Sequence, residues 1–257
     1  MKNAIILHIP HASTKLPKIF KEQKFELNNQ EIQDFNYKIC DLYTDKLFSF
    51  LKFKNIKFKY SRIFCDVEKY VDDNKEVMSK YGMGVIYSKT HKQKTFFIPS
   101  QKYKNYVLNK YYFCHHDKLT KLTQKNINKK KTILVDCHSF SKEIIIDKKL
   151  DNQVPDICLG INNYETDKNL LEYIKNYFLN LNYSVAINYP YCGAIVPNNL
   201  VDNKNNLFEI MLEINREIIY DNNYLKYGKK PKLNKIKFKK LKKHIYLLLK
   251  SLKTLHL

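Results

Sequence analysis

A nearly continuous apolar run from Thr132 to Cys137 places the strongest constraint on the fold of this 257-residue chain. A strand with so few polar side chains has to be covered on both faces, as the central strands of α/β proteins are. Shorter apolar runs at Ala4 to His8, Asp156 to Leu159 and Ser184 to Asn188 are further strand candidates. Because stretches with helical spacing separate these runs, the sequence predicts an α/β fold whose mixed, mainly parallel sheet is flanked by helices.

The rest of the chain is assigned from the spacing of its apolar residues. Alternation at Phe58 and Tyr60 predicts a strand from Lys57 to Asp66, and a short strand is expected at Val85 to Tyr87. The segment from Leu207 to Ile214 is compatible with either a strand or a helix. Helices are expected at residues 29–53, 100–125 and 168–181.

The last part of the chain differs in composition from the rest. Residues 228–257 contain 11 Lys and no Asp or Glu, so they carry about half of the net charge of +21. We therefore divide the chain into an α/β domain, residues 1–225, and a Lys-rich helical tail, residues 226–257, that docks on the core. Apolar residues at steps of four, three, four and three predict an amphipathic C-terminal helix in this tail: Leu241, Ile245, Leu248, Leu252 and Leu255.

A net charge of this size is typical of nucleic-acid-binding proteins, but the kind of basic residue argues against a specific nucleic-acid partner. Only Arg62 and Arg216 of the 46 basic residues are arginine. Specific contacts to bases and phosphates depend on the two-pronged guanidinium group, so no specific nucleic-acid partner is expected. Binding of RNA or a membrane surface through the tail stays open as an alternative function.

The apolar runs and the cysteines indicate the cellular compartment. No apolar run approaches the roughly 18 residues that a membrane-spanning helix needs, so no transmembrane segment is expected. The six cysteines occur singly, with no Cys-x-x-Cys pair, which argues against a disulfide framework and a thiolate zinc knuckle. We predict a cytoplasmic protein.

Histidines and acids follow strand-like runs at three places in the chain. These are His8-Ile-Pro-His11, Asp66-Val-Glu68 and Asp136-Cys-His138-Ser139. In open α/β sheets, ligands bind beyond the carboxyl ends of the strands, where separate stretches converge. Two imidazoles and a carboxylate form a catalytic zinc set with one open position, and a further carboxylate is then needed as general base.

Seven short motifs follow one another along the chain. They are His8-Ile-Pro-His11-Ala-Ser13, Ser61-Arg62-Ile-Phe-Cys-Asp66-Val-Glu68, Tyr112-Phe-Cys-His115-His116, Val135-Asp136-Cys-His138-Ser139-Phe, Pro155-Asp156-Ile-Cys-Leu-Gly160, Asn188-Tyr-Pro190-Tyr191-Cys-Gly193 and Leu212-Glu213-Ile-Asn215-Arg216. In this order they resemble the N-formylglutamate amidohydrolases over residues 5 to about 220. The resemblance implies a Zn²⁺-dependent hydrolase with an α/β fold similar to the zinc carboxypeptidases. Its substrate would be a small N-acyl amino acid such as N-formylglutamate, and a peptidase-like deacylase with another substrate is the alternative.

The resemblance also implies the metal ligands and the general base. His11 and His138 match the two imidazole ligands, and Asp66 or Glu68 the carboxylate ligand, with Asp66 favoured because the family motif has Asp at that position. Glu213 resembles the general base of the carboxypeptidase-like enzymes. Its apolar neighbours in the sequence are expected to raise its pKa toward the range useful for proton transfer.

Other residues of the same motifs are also expected to have roles. Arg62 and Arg216 are expected to hold a substrate carboxylate or stabilise the oxyanion, because an Arg retained in a Lys-rich chain indicates a need for its fork of donors. His116 is expected to contact the oxyanion, with His115 as an alternative, and Asp136 to orient an imidazole. His8 is expected to be structural. Two residues are expected in a loop that closes over the substrate: Asn188 and Tyr191.

Overall fold

The computed structural model describes residues 2–142, 154–162, 166–193, 200, 206–221 and 228–257. It contains the six strands β1 (Ala4–Ile9), β2 (Lys54–Lys57), β3 (Thr132–Phe140), β4 (Ile157–Gly160), β5 (Val185–Ile187) and β6 (Leu207–Asn215). They form one sheet in the order β2-β1-β3-β6-β4-β5. Strands β2, β1, β3 and β6 run parallel, whereas β4 pairs antiparallel with β6 and parallel with β5. The predicted mixed, mainly parallel α/β sheet is confirmed.

The helices pack around this sheet. A π-helical turn at Leu108–Tyr112 joins the helices Gln101–Val107 and Phe113–Ile127, so the helix expected at residues 100–125 is present with one local distortion. The α-helices are α1 (Lys18–Lys21), α2 (Asn29–Ile39), α3 (Thr44–Leu47), α4 (Gln101–Val107), α5 (Phe113–Ile127), α6 (Lys168–Leu179) and α7 (Lys235–Leu252).

Strands β3 and β6 form the centre of the sheet. All nine residues of each strand are buried, and the two pair in register from Thr132 opposite Leu207 to Phe140 opposite Asn215. The segment from Leu207 to Ile214, which the sequence left between strand and helix, is therefore a strand. Its apolar residues are continuous because β3 and β4 lie on its two sides and the layers above and below cover it.

Two predicted strands are wrong. A strand was expected from Lys57 to Asp66, but β2 already ends at Lys57. The chain then forms a turn, in which the Phe64 and Cys65 amides donate to the Ser61 carbonyl oxygen. The apolar alternation there reflects aromatic packing, since Phe58 and Tyr60 contact one another edge to face. The segment from Val85 to Tyr87 forms only an isolated bridge between Met83 and Tyr87.

The helix expected at residues 29–53 is shorter than predicted. Helix α2 ends at Ile39, Cys40 is extended, and Tyr43 has a left-handed backbone with φ of 72°. The intervening Asp41 amide donates to the His11 carbonyl oxygen. This break in the helix brings Asp41 to the carboxyl end of β1.

The C-terminal amphipathic helix is α7, and its apolar side is buried in the core formed with β1, β3 and β6. The Asn3 side chain donates to the carbonyl oxygens of Leu252 and Leu255 at 2.9 and 2.8 Å, which ties the end of the helix to the first strand. The division into two units at residue 225 stays a prediction. Among the described residues, no helix is both long and apolar enough to cross a membrane. The buried residues of α7 are Leu241, Ile245, Leu248, Leu249 and Leu252.

Candidate active site

Histidines and acids from separate strands meet at the carboxyl edge of the sheet. His8 on β1 lies opposite Asp136 on β3, and His138 on β3 lies opposite Glu213 on β6. His11 follows β1 directly. Because neighbouring residues of paired strands point to the same side of a sheet, the register alone gathers these side chains into one cluster.

His11 is buried and is held by only one of its ring nitrogens. Its Nε2 lies 2.8 Å from Asp66 Oδ1. Its Nδ1 makes no hydrogen bond within the described structure, although it lies 3.3 Å from Glu68 Oε2. With Nε2–H donating to the ionised carboxylate, Nδ1 carries a lone pair and lies beside Glu68.

His138 is held in the same way from its opposite nitrogen. Its Nδ1 donates to Asp41 Oδ2 at 2.9 Å, and that oxygen also accepts the Ser139 amide at 3.1 Å. Its Nε2 lies 3.1 Å from Glu68 Oε1 and 3.2 Å from Asp136 Oδ1. Burial opposes protonation, but the carboxylates of Glu68 and Asp136 hold the pKa of His138 well above its usual value. The position therefore attracts a cation.

These contacts define a group of possible metal ligands. One ligand atom each of His11, Glu68 and His138 lie within 4.8 Å of one another. Each imidazole is oriented by a carboxylate on one nitrogen and offers the other nitrogen, which is the usual arrangement of histidine ligands. The buried, unpartnered Nδ1 of His11 fits a bound cation, and imidazole with carboxylate is a donor set typical of Zn²⁺.

The preference for Asp66 as the carboxylate ligand is not supported by the geometry. Asp66 Oδ2 accepts from Arg62 Nε and Nη2 at 3.0 and 2.9 Å and from the Tyr87 hydroxyl at 2.7 Å. Its Oδ1 accepts from His11 and from the Glu68 amide. Asp66 is thus saturated with donors and orients His11, whereas Glu68 faces both imidazoles.

Arg62 and Arg216 both lie in the site but in different surroundings. Arg216 is buried, and its guanidinium donates to the Ser139 hydroxyl and carbonyl, the Lys38 carbonyl and Asp41 Oδ1. These donors already bind the protein and hold Asp41, and the expected contact of Arg216 with a substrate stays a prediction. Arg62 is partly exposed, and its Nη1 lies 3.8 Å from Asp41 Oδ1.

Glu213 has the environment of a proton-transfer group. It is buried, and its Oε2 has no hydrogen-bond partner in the described part of the chain. Burial raises its pKa to about 8; the charges of Asp41 and Glu68 add to this effect, and His138 and Arg216 oppose it. A carboxyl group with such a pKa can accept and return a proton near neutral pH.

His116 supports a neighbouring loop in the structure, and its expected contact with the oxyanion stays a prediction. Its Nε2 donates to the Val67 carbonyl oxygen at 2.7 Å, so this donor is committed to the main chain between Asp66 and Glu68. Burial lowers the pKa of His116, which keeps the ring neutral. The contact places the backbone from which both carboxylates project.

Asp136, predicted to orient an imidazole, contacts two of them. Its Oδ1 lies 2.8 Å from His8 Nδ1 and 3.2 Å from His138 Nε2. Burial alone would raise its pKa, but His138 and His8 hold the pKa of Asp136 well below its usual value. The carboxylate is therefore a charged neighbour of both rings.

The loop that carries Asn188 and Tyr191 borders the site. The Asn188 side-chain oxygen accepts the Ile161 amide at 2.8 Å, so this residue holds the loop to the end of β4. Burial and the nearby charge of Glu213 raise the pKa of Tyr191. A Cβ at Gly160 would clash with the Gly193 carbonyl oxygen, so only glycine lets the loop approach β4 this closely.

Sequence reasoning missed Asp41 and Tyr87. Asp41 was expected inside a long helix, and no strand-like run precedes it, so it carried no signal of a site residue. Tyr87 lies on a segment interpreted as a strand, and its contact with Asp66 joins residues 21 positions apart. Both residues act by holding a carboxylate or an imidazole, which leaves no spacing pattern in the sequence.

Known proteins resemble this chain in sequence motifs and in fold. The family model "N-formylglutamate amidohydrolase" matches residues 3–220. The crystal structure of N-formylglutamate amidohydrolase from Ralstonia eutropha JMP134 superposes with a TM-score of 0.81 at 17% identity, covering 98% of this chain and 94% of that one. A gene product of Agrobacterium tumefaciens gives a TM-score of 0.68 at 15% identity, covering 98% and 89%. The comparison with curated proteins gave no match.

Proposed function

The chain belongs to the N-formylglutamate amidohydrolase family, a family of hydrolases of linear amide bonds, and on this basis we propose a zinc-dependent cleavage of a small N-acyl amino acid such as N-formylglutamate. Water would attack the acyl carbon, the C–N bond would break, and the products would be formate and the free amino acid. The observation that carries the proposal is the unpartnered His11 Nδ1 beside Glu68, with His138 next to the other oxygen of the same carboxylate.

In this proposal, His11, Glu68 and His138 hold the zinc ion. When bound, such an ion lowers the pKa of a water molecule toward 7 and polarises the carbonyl group under attack. Asp66 and Asp41 keep the two rings in the tautomers that leave Nδ1 of His11 and Nε2 of His138 free of protons.

Glu213 moves the proton. Its unpartnered Oε2 accepts a proton from the attacking water and returns it to the amide nitrogen as the C–N bond breaks. A raised pKa of about 8 suits both halves of this task, because the protonated and ionised forms then differ little in free energy near neutral pH. Its position opposite His138 on the neighbouring strand supports this role.

Recognition of the substrate falls to groups at the mouth of the site. Arg62 uses Nε and Nη2 on Asp66, and its Nη1 is the donor that we propose for the oxyanion or for a substrate carboxylate. Tyr191 is proposed to cover the bound substrate, and Asn188 to hold its loop in place. Arg216 is proposed to act only indirectly, through Asp41.

The two alternatives from the sequence differ in what supports them. A peptidase-like deacylase would use the same ligands and the same base, so only its substrate would differ. Insertion of the tail into a membrane surface would need the apolar side of α7, but that side is buried in the core. Binding of RNA by the lysines of the tail stays a prediction, and we retain the deacylase as the second candidate function.

The test is hydrolysis of N-formylglutamate by purified protein, before and after chelation and zinc restoration. A panel of N-formyl and N-acetyl amino acids and short peptides separates the two candidates. The variant Glu213→Gln should lose activity, and the control Glu217→Gln, which removes a surface pair with Lys142, should keep it. Zinc-loaded protein that hydrolyses none of these compounds would contradict the proposed function.

A further inference from the structure

A third imidazole, that of His8, faces the same carboxylate as His11 and His138. The ring is fully buried at the carboxyl end of β1. Its Nδ1 lies 3.6 Å from Glu68 Oε1 and 2.8 Å from Asp136 Oδ1. The sequence had indicated a structural residue, and nothing in the mechanism proposed above uses it.

His8 is oriented from its other nitrogen, as the two proposed ligands are. Its Nε2 lies 2.9 Å from Nε2 of His115, a buried ring on α5 that packs edge to face on Phe58 at 5.3 Å. When His115 carries its proton on Nδ1, its Nε2 accepts from His8 Nε2–H. The lone pair of His8 Nδ1 then points toward Glu68 and Asp136.

These contacts assemble a second group of possible ligands. His8, Glu68 and Asp136 each offer one atom, and these atoms lie within 4.8 Å of one another. Glu68 belongs to both groups, and the other two members of the first group are His11 and His138. Hydrolases that use two cations commonly hold them roughly 3.5–4 Å apart on a shared side chain.

We propose that His8 and Asp136 bind a second divalent transition-metal cation beside the first, with Glu68 shared between the two. One imidazole and two carboxylates suit Zn²⁺, Mn²⁺ or Co²⁺. His115 is then a positioning residue, because it acts through His8. This inference rests on the proposed function for the first cation and adds a second cation to it.

Metal stoichiometry tests the inference without reference to activity. Metal-free full-length protein is titrated with Co²⁺, followed by visible absorption and by elemental analysis after gel filtration. We expect two equivalents of Co²⁺ per chain in the native protein and one in His8→Gln. The control is His244→Gln, which should keep two equivalents, because His244 lies on α7 and its ring contacts the Tyr183 hydroxyl. One equivalent in the native protein overturns the second site alone, whereas no binding overturns the proposed function as well.

Two further measurements keep the test decisive if His8→Gln does not fold. Asp136→Asn should also bind one equivalent of Co²⁺. Native protein saturated with Mn²⁺ should give a spin-coupled electron paramagnetic resonance spectrum, because cations that share a carboxylate are magnetically coupled. A spectrum of isolated Mn²⁺ at saturation would overturn the inference.

Discussion

Asp41 Oδ2 accepts a hydrogen bond from His138 Nδ1 at 2.9 Å, and Asp41 Oδ1 in turn lies 3.3 Å from Arg216 Nη2. This relationship links a break between two helices to the central strand β3. It holds the imidazole in one tautomer and presents Nε2 to Glu68. Asp41 is therefore the residue by which the helical layer orients the proposed metal site.

Replacing Asp41 by Asn should weaken metal binding. The Asn side chain can turn its amino group toward His138 Nδ1, which favours the wrong tautomer. We expect zinc affinity to fall about 10–100-fold, as is usual for groups that orient a ligand, measured by competition with a chromophoric chelator. The control is Asp45→Asn, an acid on α3 four residues further on. Equal zinc affinities in the two variants would contradict the role of Asp41.

Glu213→Gln should separate chemistry from metal binding. Loss of the proton acceptor is expected to lower kcat about 10²–10⁴-fold, while the zinc content stays that of the native protein. Steady-state kinetics and elemental analysis on the same sample measure both quantities. A variant that keeps kcat would exclude Glu213 as general base.

Activity should depend on pH through the same residue. Burial raises the pKa of Glu213 to about 8, and a bound cation acts against this shift. Because the base has to be ionised, kcat/KM should rise with pH along a limb that lies below about pH 8 and then level off. A pH–rate profile checks this expectation, and a profile that is flat from pH 5 to pH 8 would refute it.

His115 should make the metal-free protein less stable in acid. Burial, together with the neighbouring ring of His8, lowers its pKa to about 2, whereas the unfolded chain has the usual value near 6.5. Below about pH 6.5, only the unfolded state takes up this proton, so its contribution to the free energy of unfolding falls by about 1.4 kcal/mol per pH unit. Denaturant unfolding at pH 7, 6 and 5 should show a shallower loss in His115→Gln than in the native protein.

Arg216→Lys distinguishes a structural role from substrate binding. Lys keeps the charge but cannot reach Ser139, Lys38 and Asp41 together, so we expect a loss of about 1–3 kcal/mol in the free energy of unfolding from unsatisfied buried acceptors. KM should change little in protein that remains folded. If KM rises sharply while stability is unchanged, Arg216 contacts the substrate after all.

Much of the fold follows from local patterns. The apolar run before Asp136 can only be a doubly covered strand, and the stripe that includes Leu241 and Ile245 can only be an amphipathic helix. The strand expected before Asp66 was wrong because aromatic alternation at Phe58 and Tyr60 serves packing between side chains as well as it serves a sheet. The spacing of apolar residues indicates which side of a segment is apolar, but it does not indicate which strand that segment pairs with.

The sequence by itself determined that His11 and His138 lie at the ends of buried strands, since the apolar runs and the motifs are local properties, and it left the segment of Glu213 between strand and helix. Only the tertiary structure favours Glu68 over Asp66 as the proposed ligand. Both acids lie on one short segment, but Arg62 and Tyr87 bind Asp66 while Glu68 is left facing the imidazoles. The tertiary structure also decided the places of Asp41 and of His8. The physical reason is that a hydrogen bond between groups far apart in the chain leaves no recognisable spacing in the sequence. Its partners can be identified only when the strands lie side by side in the folded chain.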